Sequence, residues 1–110
     1  RYQTFASTVI EQPNVILPKS AKLHSPYPNP FNGKLSIPFD VNMAQSPNIS
    51  IYNINGMKVF TKNLSSNDIT RKMIYWNVDN NHRQNLSSGI YIVKLYSKTN
   101  SESSKIMFIK

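Results

Sequence analysis

Turn-forming residues interrupt this sequence so often that a long helix has no room in it. Asn and Ser each occur 14 times among the 110 residues, and Pro, Asn or Gly breaks every helical apolar pattern. Asn and Ser favour turns and helix caps over helix interiors. Val, Ile, Tyr, Phe and Thr supply much of the remainder, and these residues favour strands. The sequence therefore predicts an all-β fold built from short strands.

The clearest strand covers residues 35–41, where apolar and polar residues alternate as they do in a half-buried strand. The apolar face holds Leu35, Ile37, Phe39 and Val41. Pro38 lies within the strand and has no N–H to donate to a sheet. We therefore expect this strand at the edge of a sheet, or with that nitrogen facing outward.

A β-hairpin is predicted at Asn55-Gly56. Residues 48–55 form its first strand, and their apolar phase slips between Ile51 and Tyr52, which indicates a β-bulge. Asn-Gly between two apolar runs is a strong hairpin signal, because both central positions of such a turn need a positive φ. The returning strand contains Met57, Val59 and Phe60.

Further strands are predicted with polar connections between them. They cover residues 23–27, 72–79, 90–97 and 105–110, and the connections cover residues 61–71 and 80–88. Seven short strands with frequent turns favour an immunoglobulin-like antiparallel β-sandwich, with a small barrel as the alternative. Trp76 is in phase with Ile74 and Val78, so we expect it in the core rather than on a sugar-binding surface.

The compact domain is expected to cover residues 22–110. Residues 1–21 contain Pro13 and Pro18 and are interpreted as a linker or the end of a preceding domain. The chain begins with Arg1, so it is interpreted as part of a longer protein whose cargo domain lies upstream.

Four stretches together carry a family likeness. They read YPNPFNG at 27–33, IYNINGMKV at 51–59, LSSGIYIVKL at 86–95 and SKIMFIK at 104–110. In this order and spacing they resemble the C-terminal sorting domain of type IX secretion substrates, and the likeness covers roughly residues 23–110. The sequence departs from the family pattern at Met57, where a small polar or basic residue is common, and at Pro38.

The resemblance implies a fold, a role and a set of partners. The fold is an immunoglobulin-like sandwich at the end of secreted or surface proteins of Bacteroidetes-type bacteria. The role is a non-catalytic sorting signal that directs a larger cargo through the periplasm and the outer-membrane translocon to the cell surface or beyond. The partners are the type IX shuttle and a sortase-like peptidase, which removes the domain and can attach the cargo to surface lipopolysaccharide.

The resemblance also implies that recognition by the translocon uses residues of the matched motifs. These residues are Tyr27, Pro28, Asn29, Pro30, Gly56, Val59, Gly89, Ile90, Tyr91, Lys94, Lys105, Phe108 and Lys110. The alternating prolines fix φ and stiffen the segment that carries Tyr27 and Phe31, which also makes it a rigid start to the sandwich. We expect Gly89 either to have a backbone conformation that residues with a Cβ rarely adopt, or to lie where two strands approach closely.

The strand at 90–97 has more apolar side chains than a sandwich strand needs. One face holds Tyr91, Val93 and Leu95, and the other holds Ile90, Ile92 and Tyr96. One apolar face is enough in an antiparallel sandwich, so the surplus face is a candidate docking surface. It would include either Ile106 and Phe108 or Met107 and Ile109, flanked by Lys94, Lys98, Lys105 and Lys110. The alternative is that a neighbouring domain, the N-terminal segment or a loop covers this face.

The basic charge by itself does not identify a partner. The formal net charge is +8, but the ten Lys are scattered singly and Arg occurs only three times. Nucleic-acid binders concentrate Arg and Lys on one element or interleave them with stacking aromatic residues. A Lys-rich surface on a domain that binds no nucleic acid is therefore favoured.

Residues for catalysis, cofactors and metals are scarce. The chain has no Cys and no Gly-x-Ser-x-Gly motif, and its two His residues, His24 and His82, have no metal-ligand spacing. The stretch from Asp79 to Asn81 lacks the Gly and Glu of a calcium loop and is interpreted as a polar turn. No apolar run is long enough to span a bilayer. We expect no enzyme activity, no cofactor and no transmembrane segment.

Two other functions remain open at this point. One is an accessory module that binds polysaccharide or a partner enzyme. The other is an immunoglobulin-like domain of the flagellar hook-cap kind, which shares a similar Pro-rich start. The terminal stretch from Lys105 to Lys110 argues against the second.

Overall fold

The computed structural model describes residues 21–78 and 86–110. Seven strands lie within these ranges, as the sequence predicts. In chain order they are β1 Lys22–Leu23, β2 Lys34–Asp40, β3 Asn48–Asn53, β4 Lys58–Asn63, β5 Met73–Asn77, β6 Gly89–Tyr96 and β7 Ser101–Phe108. A short 3-10 helix, Met43–Gln45, precedes β3, and one α-helix, α1 Ser66–Arg71, precedes β5.

The strands form two antiparallel sheets. One has the order β1-β2-β5 and the other has the order β4-β3-β6-β7. The prediction of an all-β sandwich is confirmed, and the described strands do not close into a single barrel. Residues 1–20, the stretch from Asp79 to Asn81 and His82 lie outside the described residues.

The core lies between the sheets and is centred on Trp76 of β5. Its ring centroid is 5.7 Å from that of Phe31, 6.0 Å from that of Phe60 and 6.1 Å from that of Tyr91. Trp76 is 2% exposed, so the prediction that it packs in the core is confirmed. A sugar cannot stack on this ring in the folded domain, which removes the residue that most favoured a carbohydrate-binding module.

Of the two alternatives predicted for Pro38, the edge strand is wrong. Its strand β2 runs between β1 and β5. The Pro38 carbonyl accepts a hydrogen bond from the His24 N–H at 3.0 Å on the side of β1. The nitrogen of Pro38 faces the same side, because N and O of one strand residue point together. Because the Pro38 nitrogen carries no hydrogen, it cannot donate a hydrogen bond back to His24. The pairing of β1 with β2 therefore ends after Leu23.

The hairpin between β3 and β4 forms at the predicted position but with a different turn. The β-bulge between Ile51 and Tyr52 is confirmed. Of the two residues Asn55 and Gly56, only Gly56 has a positive φ, at 84°. The Gly56 N–H donates to the Asn53 carbonyl at 3.0 Å, which closes a turn followed by a left-handed glycine. This three-residue type of loop accommodates the twist with one glycine rather than two residues of positive φ.

Several predicted boundaries shift. The first strand is shorter than residues 23–27, and Tyr27 pairs only through an isolated bridge to Ser36. The last strand begins at Ser101, four residues before the predicted start at Lys105. The polar connection at 61–71 contains part of β4 and the whole of α1. Gly89 has a φ of 148°, which confirms the expected glycine conformation, and nothing approaches closely enough to exclude a Cβ by contact.

The helix α1 is held by a buried carboxylate. Asp68 is 2% exposed, accepts a hydrogen bond from the Ser65 N–H at 3.0 Å, and forms ion pairs with Lys62 at 3.2 Å and Arg71 at 3.1 Å. The Ser65 hydroxyl in turn accepts from the Asp68 N–H, which completes a capping box. Burial alone would raise the pKa of Asp68, but the hydrogen bond from Ser65 and the charge of Lys62 outweigh it and lower this pKa.

We expect Asp68→Asn to lower the free energy of unfolding by about 1–2 kcal/mol at neutral pH, since it weakens the cap and both ion pairs. Because the folded pKa of Asp68 is lowered, its contribution to stability is present above the unfolded pKa. It is lost as the pH falls through the folded pKa. Urea unfolding across this acidic range measures the effect. The gap between the wild type and the variant should close at the lowest pH, and a gap that stays constant would contradict the assignment.

Candidate recognition surface

The Pro-rich segment, defined as residues 27–31, is bound to the last strand. The Asn29 side chain donates to the Lys105 carbonyl at 3.2 Å and accepts from the Met107 N–H at 2.9 Å. The Phe31 N–H donates to the Met107 carbonyl, and the Phe31 carbonyl accepts from the Ile109 N–H, both at 2.9 Å. The first and last matched motifs of the sequence therefore meet along one edge of β7. The Tyr27-Pro28 and Asn29-Pro30 peptide bonds are both cis.

The side chain of Phe31 secures this contact from inside. It is 2% exposed, and its ring centroid lies 5.2 Å from that of Phe108 and 5.7 Å from that of Trp76. Tilted aromatic pairs at these distances are favourable beyond the area they bury. The Pro-rich segment is thus part of the sandwich core as well as its start.

The other end of β7 is bound to the start of the domain. The Asn100 side chain accepts from the Ala21 N–H at 2.9 Å and donates to the Ala21 carbonyl at 3.1 Å. Glu102 accepts from the Leu23 N–H at 2.7 Å. Ala21, the last residue of the segment interpreted as a linker, is buried. Both ends of the last strand are therefore fixed by residues from the start of the domain.

The outward face of the four-stranded sheet carries a row of side chains that crosses all four strands. Lys58 of β4 lies opposite Tyr52 of β3, Tyr52 lies opposite Ile92 of β6, and Ile92 lies opposite Lys105 of β7. Directly opposed residues of an antiparallel sheet place their side chains on the same face. The row is therefore apolar in the middle and positively charged at both ends. We call the solvent-facing side of this sheet the outer face.

A groove of about 540 Å³ lies on the outer face. It is lined by Tyr52, Asn53, Ile54, Gly56, Ile92, Lys94 and Tyr96. The hydroxyl groups of Tyr52 and Tyr96 are hydrogen-bonded at 2.8 Å, and the Lys94 ammonium lies 5.7 Å from the centre of the Tyr96 ring. The hydrogen bond between Tyr52 and Tyr96, together with the charges of Lys58 and Lys94, lowers the pKa of Tyr52, while the same hydrogen bond raises the pKa of Tyr96.

The alternation predicted for residues 90–97 is confirmed. Tyr91, Val93 and Leu95 are buried, whereas Ile90 is exposed and Ile92 and Tyr96 are half-buried on the outer face. On β7 the open question is resolved. Ile106 and Phe108 face the core, and Met107 and Ile109 are exposed.

The residues expected to take part in recognition divide into three groups by exposure. Exposed on the surface are Tyr27, Pro28, Asn29, Pro30, Gly56, Ile90, Lys105 and Lys110, and half-buried are Val59, Gly89 and Lys94. Tyr91 and Phe108 lie in the core, where their rings are 6.4 Å apart at the centroids, so no partner reaches these two side chains in the folded domain.

Sequence reasoning misses some features of this surface. Ile54 and Met57 beside the hairpin glycine are among the most exposed apolar side chains, and the bulge that shifts the phase after Ile51 is the signal that could have revealed them. The tyrosine pair joins residues 44 apart and has no local signal.

The described residues contain neither a metal-binding cluster nor a helix that could span a membrane. Their His, Asp and Glu side chains form no group of three that could hold a metal ion. Within residues 21–78 and 86–110, no helix has the length and apolar character needed to cross a membrane.

We expect Asn29→Ala to lower the free energy of unfolding by about 1–2 kcal/mol, since it removes two hydrogen bonds to the edge of β7. The matched control is Asn32→Ala, an exposed residue directly after the Pro-rich segment, which should change stability by less than about 0.5 kcal/mol. Urea unfolding of both variants measures the difference. Equal effects of the two substitutions would show that the Asn29 contacts with β7 do not hold the segment.

Comparison with known proteins identifies the family. A search of curated proteins finds no match to the chain. The family model of the secretion system C-terminal sorting domain matches residues 25–110, which includes all four motifs and six of the seven strands, β2 to β7. The chain therefore belongs to the secretion system C-terminal sorting domain family, whose domains are the sorting signals of type IX secretion cargo.

Proposed function

We propose that this domain directs its cargo to the cell surface by presenting the outer face to the type IX shuttle and then to a sortase-like peptidase, which removes it. Membership of the family establishes the sorting role and a connection with the type IX machinery. The proposal adds the surface that is read, the two partners and the route through the periplasm and the outer membrane.

The arrangement of the motif residues carries the proposal. Ile90 and Lys94 come from the third motif and Lys105 from the last, yet β6 and β7 bring all three onto one face. The groove beside them combines aromatic, aliphatic and positively charged groups, which suits a partner surface with an apolar centre and acidic rim. The buried motif residues support this face from beneath, since Tyr91 and Phe108 pack under it.

The carboxylates of the described residues support a non-catalytic role. Asp68 is bound to Lys62 and Arg71, Asp40 lies 3.8 Å from Lys72, and Glu102 accepts from a backbone N–H. Each of these carboxylates has a structural partner, whereas a general base needs a carboxylate placed beside a substrate site. The proposed activity therefore rests on shape and charge alone.

A secretion experiment tests this proposal. Residues 22–110 are fused to a neutral reporter in a type IX-competent bacterium, and the double variant Lys94→Glu/Lys105→Glu is compared with the wild type. We expect export of the reporter to fall severalfold, because two reversed charges oppose an acidic partner surface. Removing residues 105–110 is a poorer test, because it also removes Ile106 and Phe108 from the core.

The matched control is Lys22→Glu/Lys34→Glu, which changes the net charge equally on the three-stranded sheet. Thermal unfolding followed by circular dichroism establishes that each variant is folded. Export of the folded Lys94→Glu/Lys105→Glu variant at the level of the wild type would contradict the outer face as the recognition surface. An equal loss in both double variants would show that only net charge matters.

A further inference from the structure

Exposed aliphatic side chains collect at one end of the four-stranded sheet. Ile54 is 75% exposed and Met57 is 63% exposed, both in the loop between β3 and β4. Ile90 and Met107 lie opposite each other on the neighbouring strands, and Ile109 follows. We call these five residues the apolar end. Scattered exposed apolar residues are normal, but a contiguous group at one end of a domain marks a contact surface.

Lysines surround the apolar end. Lys58 and Lys105 occupy the two ends of the row directly behind it, and Lys110 follows Ile109. Lys34 begins β2 at the same end of the sandwich, where the Gly33 carbonyl accepts from the Val78 N–H beside the Pro-rich segment. Successive rows of side chains on one face of a sheet are about 7 Å apart, so the ammonium groups of Lys58 and Lys105 can reach the aliphatic tips. The ammonium group of Lys34 lies instead 4.4 Å from the centre of the Tyr75 ring.

The described carboxylates lie at the other end. Glu102 is opposite Leu95, and Leu95 is opposite Ile49. Ile49 is opposite Lys62, which binds Asp68. Leu95, the β6 residue of this row, lies five residues after Ile90, which is about 17 Å along the strand. Asp40 closes the far end of β2 next to Lys22. Among the described residues, the carboxylates therefore lie at the far end, where Asp40 and Asp68 have basic partners, and none lies among the lysines around the apolar end.

The residue types favour a lipid surface over a protein at this end. Protein interfaces are enriched in aromatic residues, Met and Arg at their centres, and they are depleted in Lys, so the lysines are what distinguishes this end. The five exposed tips of the apolar end are Ile or Met, and the basic residues named around them are all Lys, which protein interfaces avoid. Aliphatic tips that enter the boundary of the acyl chains, with Lys at the level of the headgroups, are typical of peripheral contact with an anionic membrane.

We propose that the apolar end binds the surface of an anionic lipid bilayer. The loop between β3 and β4 and the end of β7 enter the interface, and Lys58, Lys105 and Lys110 contact the anionic headgroups. This binding goes beyond the sorting function and depends on it only because sorting brings the domain to the outer membrane. The core stays closed, since Phe108 and Tyr91 lie beneath the contact.

Co-sedimentation with vesicles tests the proposal. The 110-residue chain is mixed with vesicles of phosphatidylcholine alone, or with about one third phosphatidylglycerol. We expect binding to the anionic vesicles only, and a decrease as salt screens the headgroups. Met57→Ser should weaken binding about tenfold through lost apolar contact, and Lys58→Gln about fivefold. The matched controls Met43→Ser and Lys22→Gln change an exposed Met and Lys elsewhere and should bind like the wild type.

Two results would overturn the inference. One is that the folded wild-type chain does not bind anionic vesicles at low salt. The other is that Met43→Ser weakens binding as much as Met57→Ser, because the contact would then not involve the apolar end. The sorting function is tested separately by the reporter. If the wild-type domain exports its reporter but does not bind anionic vesicles, only the lipid inference is contradicted. If it binds the vesicles but does not export the reporter, the lipid inference is supported and the sorting proposal is contradicted.

Discussion

The edge of the last strand is the constraint on which the structure depends. β7 ends the four-stranded sheet, so one of its sides presents N–H and C=O groups with no neighbouring strand. Asn29 and Phe31 bind these groups although they lie 76 or more residues earlier in the chain. At the other end of β7 side chains make the link, since Asn100 and Glu102 bind the backbone of Ala21 and Leu23. The start and end of the domain therefore form one folding unit.

This closure also decides which surface is left for a partner. Since the Pro-rich segment occupies the edge of β7, the exposed part of the last motif is the outer face with Lys105 and Met107. Within the motifs, the core residues and the surface residues alternate, because a strand turns successive side chains to opposite sides. In a motif that looks like a recognition signal, the side chains that face inward are therefore needed to pack the core. Tyr91 and Phe108 are two of these inward-facing residues.

Local patterns in the sequence predict much of this fold. Alternation in residues 35–41 and 90–97 predicts which side chains are buried, and the phase slip at Ile51 predicts the bulge. These predictions succeed because each depends on the period of a single strand. The candidate surface follows in part from the surplus of apolar residues in β6.

The remaining features depend on contacts that a local pattern does not encode. Pro38 lies in a central strand because β1 is only two residues long and tolerates the missing donor. The helix α1 forms over six residues because Asp68 binds Lys62 of the preceding strand, which offsets the weak stability of so short a helix. Asn29 joins the Pro-rich segment to β7, and these two segments are far apart in the sequence. No periodicity in either segment indicates it.

Hydrogen exchange of single backbone amides tests the central claim most directly. The amides of Phe31, Met107 and Ile109 form the junction between the Pro-rich segment and the last strand. If the two ends of the domain fold as one unit, these amides exchange only through global unfolding, with the free energy measured by urea denaturation. Rapid exchange at these three positions, with slow exchange at Val93 and Leu95 in the core, would contradict the account.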